Sequence, residues 1–253
     1  MNRQHYSYTH YADKDVAAGF DSLRFSGPIG EFLLRTQERL LLSAFSPLGS
    51  GTSERPLESC SILDVGTGTG RAAIGLARAG ASVVGVDASA QMLEVARQRA
   101  LASDVSVTFD VGDAHALPFP ANHFDATVSL RVLMHTPDWR RCVGELCRVA
   151  RTRVVVDFPS KSGFAALESL ARNLKRAMGG NVEAYRVMSE RSVVAAFEEH
   201  GYRIVSIHRQ FVLPIALHKR MGSLLLTKIV ERVLAGVGLL WLLGSPVTMV
   251  AER

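Results

Sequence analysis

Apolar residues along this chain recur with two different periods, and the switches between them mark out its elements. The first short run is Ile62, Leu63 and Val65, with Asp64 embedded in it and with Gly66, Gly68 and Gly70 following, alternating with threonines. An apolar run bounded by glycine reads as a buried parallel strand. Helical spacing then appears at Ala73, Ile74 and Ala77 and stops at Gly80, a residue suited to closing a helix. Residues 83–87 predict a second strand, and Ser89 stands where it can cap a helix whose Met92, Leu93 and Ala96 face the sheet. Val105, Val107 and Phe109 mark a third strand, residues 124–130 a fourth and residues 154–158 a fifth. Strands separated by helical patterns predict an α/β fold built on a doubly wound parallel sheet.

The flanks read differently. Residues 1–19 are polar, with Tyr6, Tyr8, His10 and Tyr11, and suggest a mobile arm or lid. Phe32, Leu33, Leu40, Leu41 and Ala44 give residues 28–46 the spacing of an amphipathic helix, and residues 49–56 form a polar turn-rich linker. Residues 163–178 again have helical spacing at Ala166, Leu167, Leu170 and Leu174, with Arg172, Lys175 and Arg176 beside them. Near the C-terminus, Leu226, Ile229, Val230, Val233, Leu234 and Val237 recur opposite Thr227, Lys228, Glu231 and Arg232, the pattern of an amphipathic helix. From Val233 onward it turns apolar nearly all round. That end either packs beneath the final strand or, with His218, Lys219 and Arg220 just before it, meets a membrane surface or a greasy ligand.

Composition narrows the class. At 253 residues, 47% hydrophobic and 21% charged, the chain suits one large globular α/β unit. A net charge of +5 suits an anionic surface or an acidic ligand as well as it suits an ordinary basic enzyme. Cys60, Cys142 and Cys147 are odd in number and lack Cys-x-x-Cys spacing, which predicts neither a disulfide framework nor a zinc site. Charges at Lys228, Glu231 and Arg232 interrupt the most apolar stretch and argue against a membrane span. With no signal-like N-terminus, the expectation is a cytoplasmic protein, with peripheral membrane contact the alternative placement.

The chemistry gathers at strand ends. Glycines let a backbone turn tightly and approach a ligand at the start of a helix. Asp87 ends the second apolar run about 20 residues on, where a carboxylate can accept from both hydroxyls of a ribose. To this point a nicotinamide-dependent oxidoreductase fits equally. The glycines, however, are spaced Gly-x-Gly-x-Gly, whereas a dinucleotide's pyrophosphate calls for Gly-x-Gly-x-x-Gly. Asp64 is placed to orient the loop and attract an ammonium group, and Asp113 with Ala114 can pair with an adenine edge.

These residues resemble the motifs of class I S-adenosylmethionine-dependent methyltransferases, most closely the family of ubiquinone and menaquinone C-methyltransferases. Residues 62–70 match the family's first motif, residues 85–89 with Met92 and Leu93 the second, and Gly112-Asp113-Ala114 with Leu117-Pro118-Phe119, Phe124-Asp125 and His135 the third region and the strand beyond. The match covers about residues 60–158. The family's usual Pro-Gly-Gly turn before the fifth strand is missing: residues 148–153 enter Val154 with no glycine, which predicts a different turn.

The resemblance implies a Rossmann-like sheet of seven strands whose last, near residues 246–252, is antiparallel. It implies an N-terminal helical arm over residues 1–50, a methyltransferase domain over 51–253 and a helical insertion over the active site at 159–188. S-adenosylmethionine is the implied cofactor, held by Asp64, Gly66, Thr67, Gly68, Gly70, Asp87, Ala88, Met92, Asp113, Ala114 and Leu130, with no metal. His135, just past the fourth strand, is the candidate general base, with helix capping or substrate packing as its alternative roles. His115 is expected to border the cofactor, while His208 and His218 stand near the sixth strand on the far side. Arg131 suits either an acidic acceptor or a surface salt bridge. The position after the fourth strand reads Ser129-Leu130-Arg131-Val132 rather than the Asn- or Asp-Pro-Pro-aromatic motif of nucleic-acid amino-methyltransferases, and Asp157-Phe158-Pro159-Ser160 follows the wrong strand for it. The expected acceptor is therefore a small hydrophobic molecule such as a quinone precursor or lipid, and not a nucleic acid. A module that binds the cofactor without catalysis would carry the same loop and Asp87.

Overall fold

The computed structural model describes residues 26–178 and 185–253. The arm expected over residues 1–19 lies outside them. In chain order the strands are β1 Ser61–Val65, β2 Ser82–Asp87, β3 Thr108–Val111, β4 Phe124–Ser129, β5 Ala150–Phe158, β6 Arg203–Phe211 and β7 Ser245–Glu252. They form one sheet in the order β3-β2-β1-β4-β5-β7-β6. The first five pair in parallel, and β7 runs antiparallel between β5 and β6, as expected for the last strand.

The central strands β1, β4, β5 and β7 are buried on both faces, while the edge strands β3 and β6 are largely exposed, and the period-two alternation sorts side chains to two cores. One face takes Leu63, Val65, Val154, Val156 and Met249 against α4 (Trp139–Val149) and α6 (Glu190–Glu198). The other takes Ile62, Val83, Val128 and Val155 against α1 (Gly27–Phe45), α2 (Arg71–Arg78) and α3 (Ala90–Ala102). Each fully buried side chain of this kind contributes about 1.5–3 kcal/mol. Ser89 caps α3 by accepting from the Met92 N–H at 3.2 Å, as its position predicts. The remaining helices are α5 (Phe164–Ala177), α7 (Ile215–Met221), α8 (Leu224–Gly236) and α9 (Leu239–Leu243). Among the described residues no helix is long and apolar enough to cross a membrane.

Four boundaries differ from the reading of the sequence. β3 begins only at Thr108, where its pairing with β2 starts, so Val105 and Val107 pack against the core ahead of the strand rather than within it. β4 stops at Ser129, one residue short of Leu130, because Arg131 adopts a left-handed φ of 62° that turns the chain out of the sheet. β5 begins at Ala150, four residues early, directly after the last residue of α4. The missing glycine turn is thus no turn at all: the Ala150 N–H still bonds to Leu146 O, and the buried Tyr202 hydroxyl lies 2.9 Å from Ala150 O and 3.2 Å from Cys147 O. Those contacts satisfy carbonyls that the abrupt change of backbone would leave unpaired in the core. Finally, the C-terminal helical pattern is two helices, broken at Gly238, whose φ of 82° ends the run.

Candidate functional site

At the carboxyl ends of β1, β2 and β4 the chain opens a cavity of about 1010 Å³. This is the edge at which parallel sheets of this kind bind ligands. Its cofactor-sized end is shaped by the loop after β1. Gly66, Gly68 and Gly70 have φ of 71°, 56° and 77°, conformations other residues enter at a cost. At Gly66 space is also lacking: a Cβ would stand 2.2 Å from Val132 Cγ2. The loop is pinned to the neighbouring strand by Gly66 and Thr67 N–H groups donating to Val86 O at 2.7 and 3.0 Å.

Two buried carboxylates face this loop. Asp64 accepts from the Thr67 hydroxyl at 2.7 Å, and burial pushes its pKa up to about 6. Asp87 accepts from the Gly68 N–H at 2.8 Å and, through its other oxygen, from the Ser89 N–H at 2.9 Å; burial raises its pKa too. Each carboxylate oxygen can accept more than one donor, so those bonds fix Asp87 without exhausting it. Both acids are costly to bury charged, and a cationic or hydroxyl-bearing ligand would offset that cost.

The predicted site residues converge on this cavity with two exceptions. Asp64, Gly66, Thr67, Gly68, Asp87, Ala88, Met92, Ala114, Leu130 and His135 all line it. Gly70 stands behind the wall, packed where a Cβ would meet Ala96 Cβ and Phe109 Cζ at 3.0 Å each. Asp113 also lies behind it, its Oδ1 accepting from the His115 N–H at 2.9 Å and meeting His115 Nδ1 at 2.7 Å. His115 itself lines the cavity. His208 and His218 do not line the cavity.

Away from the glycine loop the lining is largely apolar, with Leu33 of α1, Met134, Phe164 of α5, and Ile215 and Ala216 of α7, joined by Arg131, Glu168, Arg172 and Tyr185. His135 ends a 3₁₀ turn, Leu133–His135, and is buried between the two ends. Arg131 is no surface salt bridge. Its backbone N–H bonds to Asp157 Oδ1, and its Nε lies 3.4 Å from Asp157 Oδ2, an almost wholly buried carboxylate at the end of β5. Burial raises the Asp157 pKa, with Arg131 opposing. Over this pair, Arg172 stacks on the Tyr185 ring at 5.1 Å and bonds to Glu168 at 2.8 Å, and burial pushes the Tyr185 phenol up to about 12. Sequence reasoning gave no role to Tyr185, Glu168 or Asp157. They lie on separate segments from the end of β5 onward, and no local spacing links them to Arg131.

Residues 62–153 match a family model described as a methyltransferase domain. Over 141 residues the chain is 37% identical to a demethylmenaquinone methyltransferase of Thermus thermophilus, covering 51% of this chain and 64% of that one. It is 44% identical over 84 residues to a ubiquinone biosynthesis O-methyltransferase of Chelativorans sp., a third of each chain. The chain thus matches less than two thirds of the length of these relatives. In fold it is similar to a solved magnesium protoporphyrin IX methyltransferase of Synechocystis PCC 6803 with bound SAH, at TM-score 0.67 and 19% identity over 97% of this chain and 99% of that one.

Proposed function

Since the chain belongs to the class I S-adenosylmethionine-dependent methyltransferases, we propose that it moves a methyl group from that cofactor to a small hydrophobic acceptor. The observation that carries the reading is one cavity with two unlike ends: two buried carboxylates over a glycine loop at one, an apolar wall at the other. The residues present fit the cofactor. Left-handed glycines leave the close approach a ligand backbone needs, and Asp64 and Asp87 are buried acceptors whose pKa values burial raises, with Arg71 only partly opposing at Asp64.

When bound, S-adenosylmethionine supplies a methyl group made electrophilic by its sulfonium. In this reading Asp87 accepts from the ribose hydroxyls, Asp64 attracts the ammonium and holds the loop through Thr67, and Ala88, Met92, Ala114 and Leu130 enclose the adenine. Gly70 and Asp113 act from behind the wall, Asp113 by holding the His115 segment in place. Holding two reactants in line lets the protein contribute orientation, worth several kcal/mol in well-aligned systems. The apolar wall excludes water, which otherwise solvates the localised charge of the donor better than the spread transition state. His135, buried between the two ends, takes up the acceptor's proton where the acceptor atom carries one.

The relatives named for demethylmenaquinone and ubiquinone biosynthesis support an acceptor of quinone-precursor or lipid character. Such molecules concentrate in bilayers, and contact of the C-terminal helices with a membrane belongs to this reading. The direct test is methyl release from labelled S-adenosylmethionine onto fractionated cell extract. Label entering an organic-soluble fraction supports the proposal, and label entering only nucleic acid, or none at all, contradicts it.

A further inference from the structure

Helix α8 turns much of its apolar stripe outward: Leu225, Ile229, Val233 and Val237 are 70%, 50%, 60% and 69% exposed, while Thr227 is fully buried and Val230 and Leu234 are half-buried. Trp241 of α9 continues the outward face at 74% exposed.

The cause lies in Glu231, the acid on the polar side. Its carboxylate accepts from the N–H groups of Val212 at 2.8 Å and Leu213 at 3.0 Å, and meets Nε2 of the fully buried His218 at 2.8 Å. Those partners belong to the end of β6 and to α7, which would otherwise keep buried polar groups unpaired, at about 1–3 kcal/mol each. The clasp fixes the rotation of α8 and so presents its leucines and valines to the outside.

The surroundings of that face say what covers it. Residues 201–253 hold seven of the chain's 29 Lys and Arg residues but only two of its 24 acids, Glu231 and Glu252, so this fifth of the chain carries the whole net charge of +5. Glu231 is turned inward, and Arg220, Lys228 and Arg232 are exposed beside the stripe. A second copy of the same face would set cation against cation. A surface both apolar and anionic fits, and an exposed tryptophan at the margin suits the headgroup layer.

Resting on the transferase reading above, we infer that α8 and α9 dock this protein on bilayers rich in acidic lipids, and that the Glu231 clasp sets the acceptor end of the cavity next to that bilayer. Ile215, Ala216 and Lys219 of α7 line the cavity on one side, and α7 is bound to α8 through His218 and Glu231. An acceptor dissolved in the membrane then has one short helix between it and the site.

The test is sedimentation of the full chain with phosphatidylcholine vesicles, with and without phosphatidylglycerol, at low and physiological salt. Binding is expected only to the phosphatidylglycerol vesicles and should weaken with salt, with a blue shift of Trp241 emission that Trp241→Phe removes. The triple variant Ile229→Asn, Val233→Asn, Trp241→Ser, all exposed and outside the cavity, should lose roughly tenfold or more of that binding. Failure to bind at either salt, full binding by the triple variant, or a wild-type dimer that the triple variant dissolves would each overturn the inference. S-adenosylhomocysteine affinity, measured on the same preparations, should be equal in all variants. Its absence from the wild type would defeat the transferase reading and leave the vesicle result to be judged separately.

Discussion

The glycine end of the cavity and its apolar end are made in different ways. Between Asp64 and Leu130, the connections that follow β1, β2, β3 and β4 supply nearly all of the first, each at a strand's carboxyl end. The second draws on Leu33 of α1, Phe164 of α5, Tyr185 and α7, segments spread over some 180 residues of the chain. At the first end backbone conformation does most of the shaping, through left-handed glycines and N–H groups held to carboxylates. At the second, side chains do it. A site of the first kind tolerates little change because its dimensions are set by the main chain. One of the second kind can be refitted residue by residue, which is how a common donor comes to serve different acceptors.

Substitutions at the two ends should therefore fail differently. The largest effect is expected at Gly66. Gly66→Ala adds a strained left-handed residue and drives a methyl group into Val132, at a combined cost of about 2–5 kcal/mol. Thermal unfolding should shift downward and the heat of S-adenosylmethionine binding should vanish; an unshifted midpoint would show that the loop can relax. Next is His135→Ala, expected to slow turnover by roughly 100-fold with cofactor affinity intact. Turnover near wild type on the true acceptor would place the base elsewhere. Asp87→Ala should do the reverse, weakening cofactor binding by about 1–3 kcal/mol while the fold holds. An unchanged dissociation constant would remove Asp87 from the ribose.

A smaller effect sharpens the contrast by pH. Burial holds the Asp64 pKa at about 6, above its value in the unfolded chain, so the free protein gains stability from the protonated form. That gain is complete below the unfolded pKa and is lost as pH rises through about 6. A cationic ligand prefers the ionised form, so S-adenosylmethionine affinity should rise by about tenfold between pH 5 and 7, with a proton released on binding. Asp64→Asn should flatten the profile. A profile as steep in that variant would assign the proton to another group, and the acceptor end should add no slope of this kind.

How much of this was written in the sequence follows the same division. The glycine spacing, Asp64, Asp87 and the Ala88–Met92 stretch announce themselves because their partners stand within a few residues or one strand away. The sheet is legible for the same reason, strand by strand, down to the antiparallel β7 that the family resemblance implies. What escaped is non-local. No spacing links Arg131 to Asp157 or Tyr185, since the pair forms only when β4 and β5 lie side by side. The direct passage from α4 into β5 depends on Tyr202, some fifty residues on. The outward turn of Ile229, Val233 and Val237 on α8 depends on a single acid, Glu231, whose three partners lie on other elements. Hydrophobic periodicity alone turns Ile229, Val233 and Val237 inward, since a carboxylate that is already spoken for looks like any other exposed charge in the sequence.

The central claim is that this cavity joins a site for S-adenosylmethionine to an apolar site for its acceptor. Isothermal titration of the full chain with S-adenosylmethionine, S-adenosylhomocysteine and NAD tests it most directly. The account predicts one saturable site for each of the first two and no heat from NAD. Saturable NAD binding with no response to S-adenosylmethionine or S-adenosylhomocysteine would contradict it.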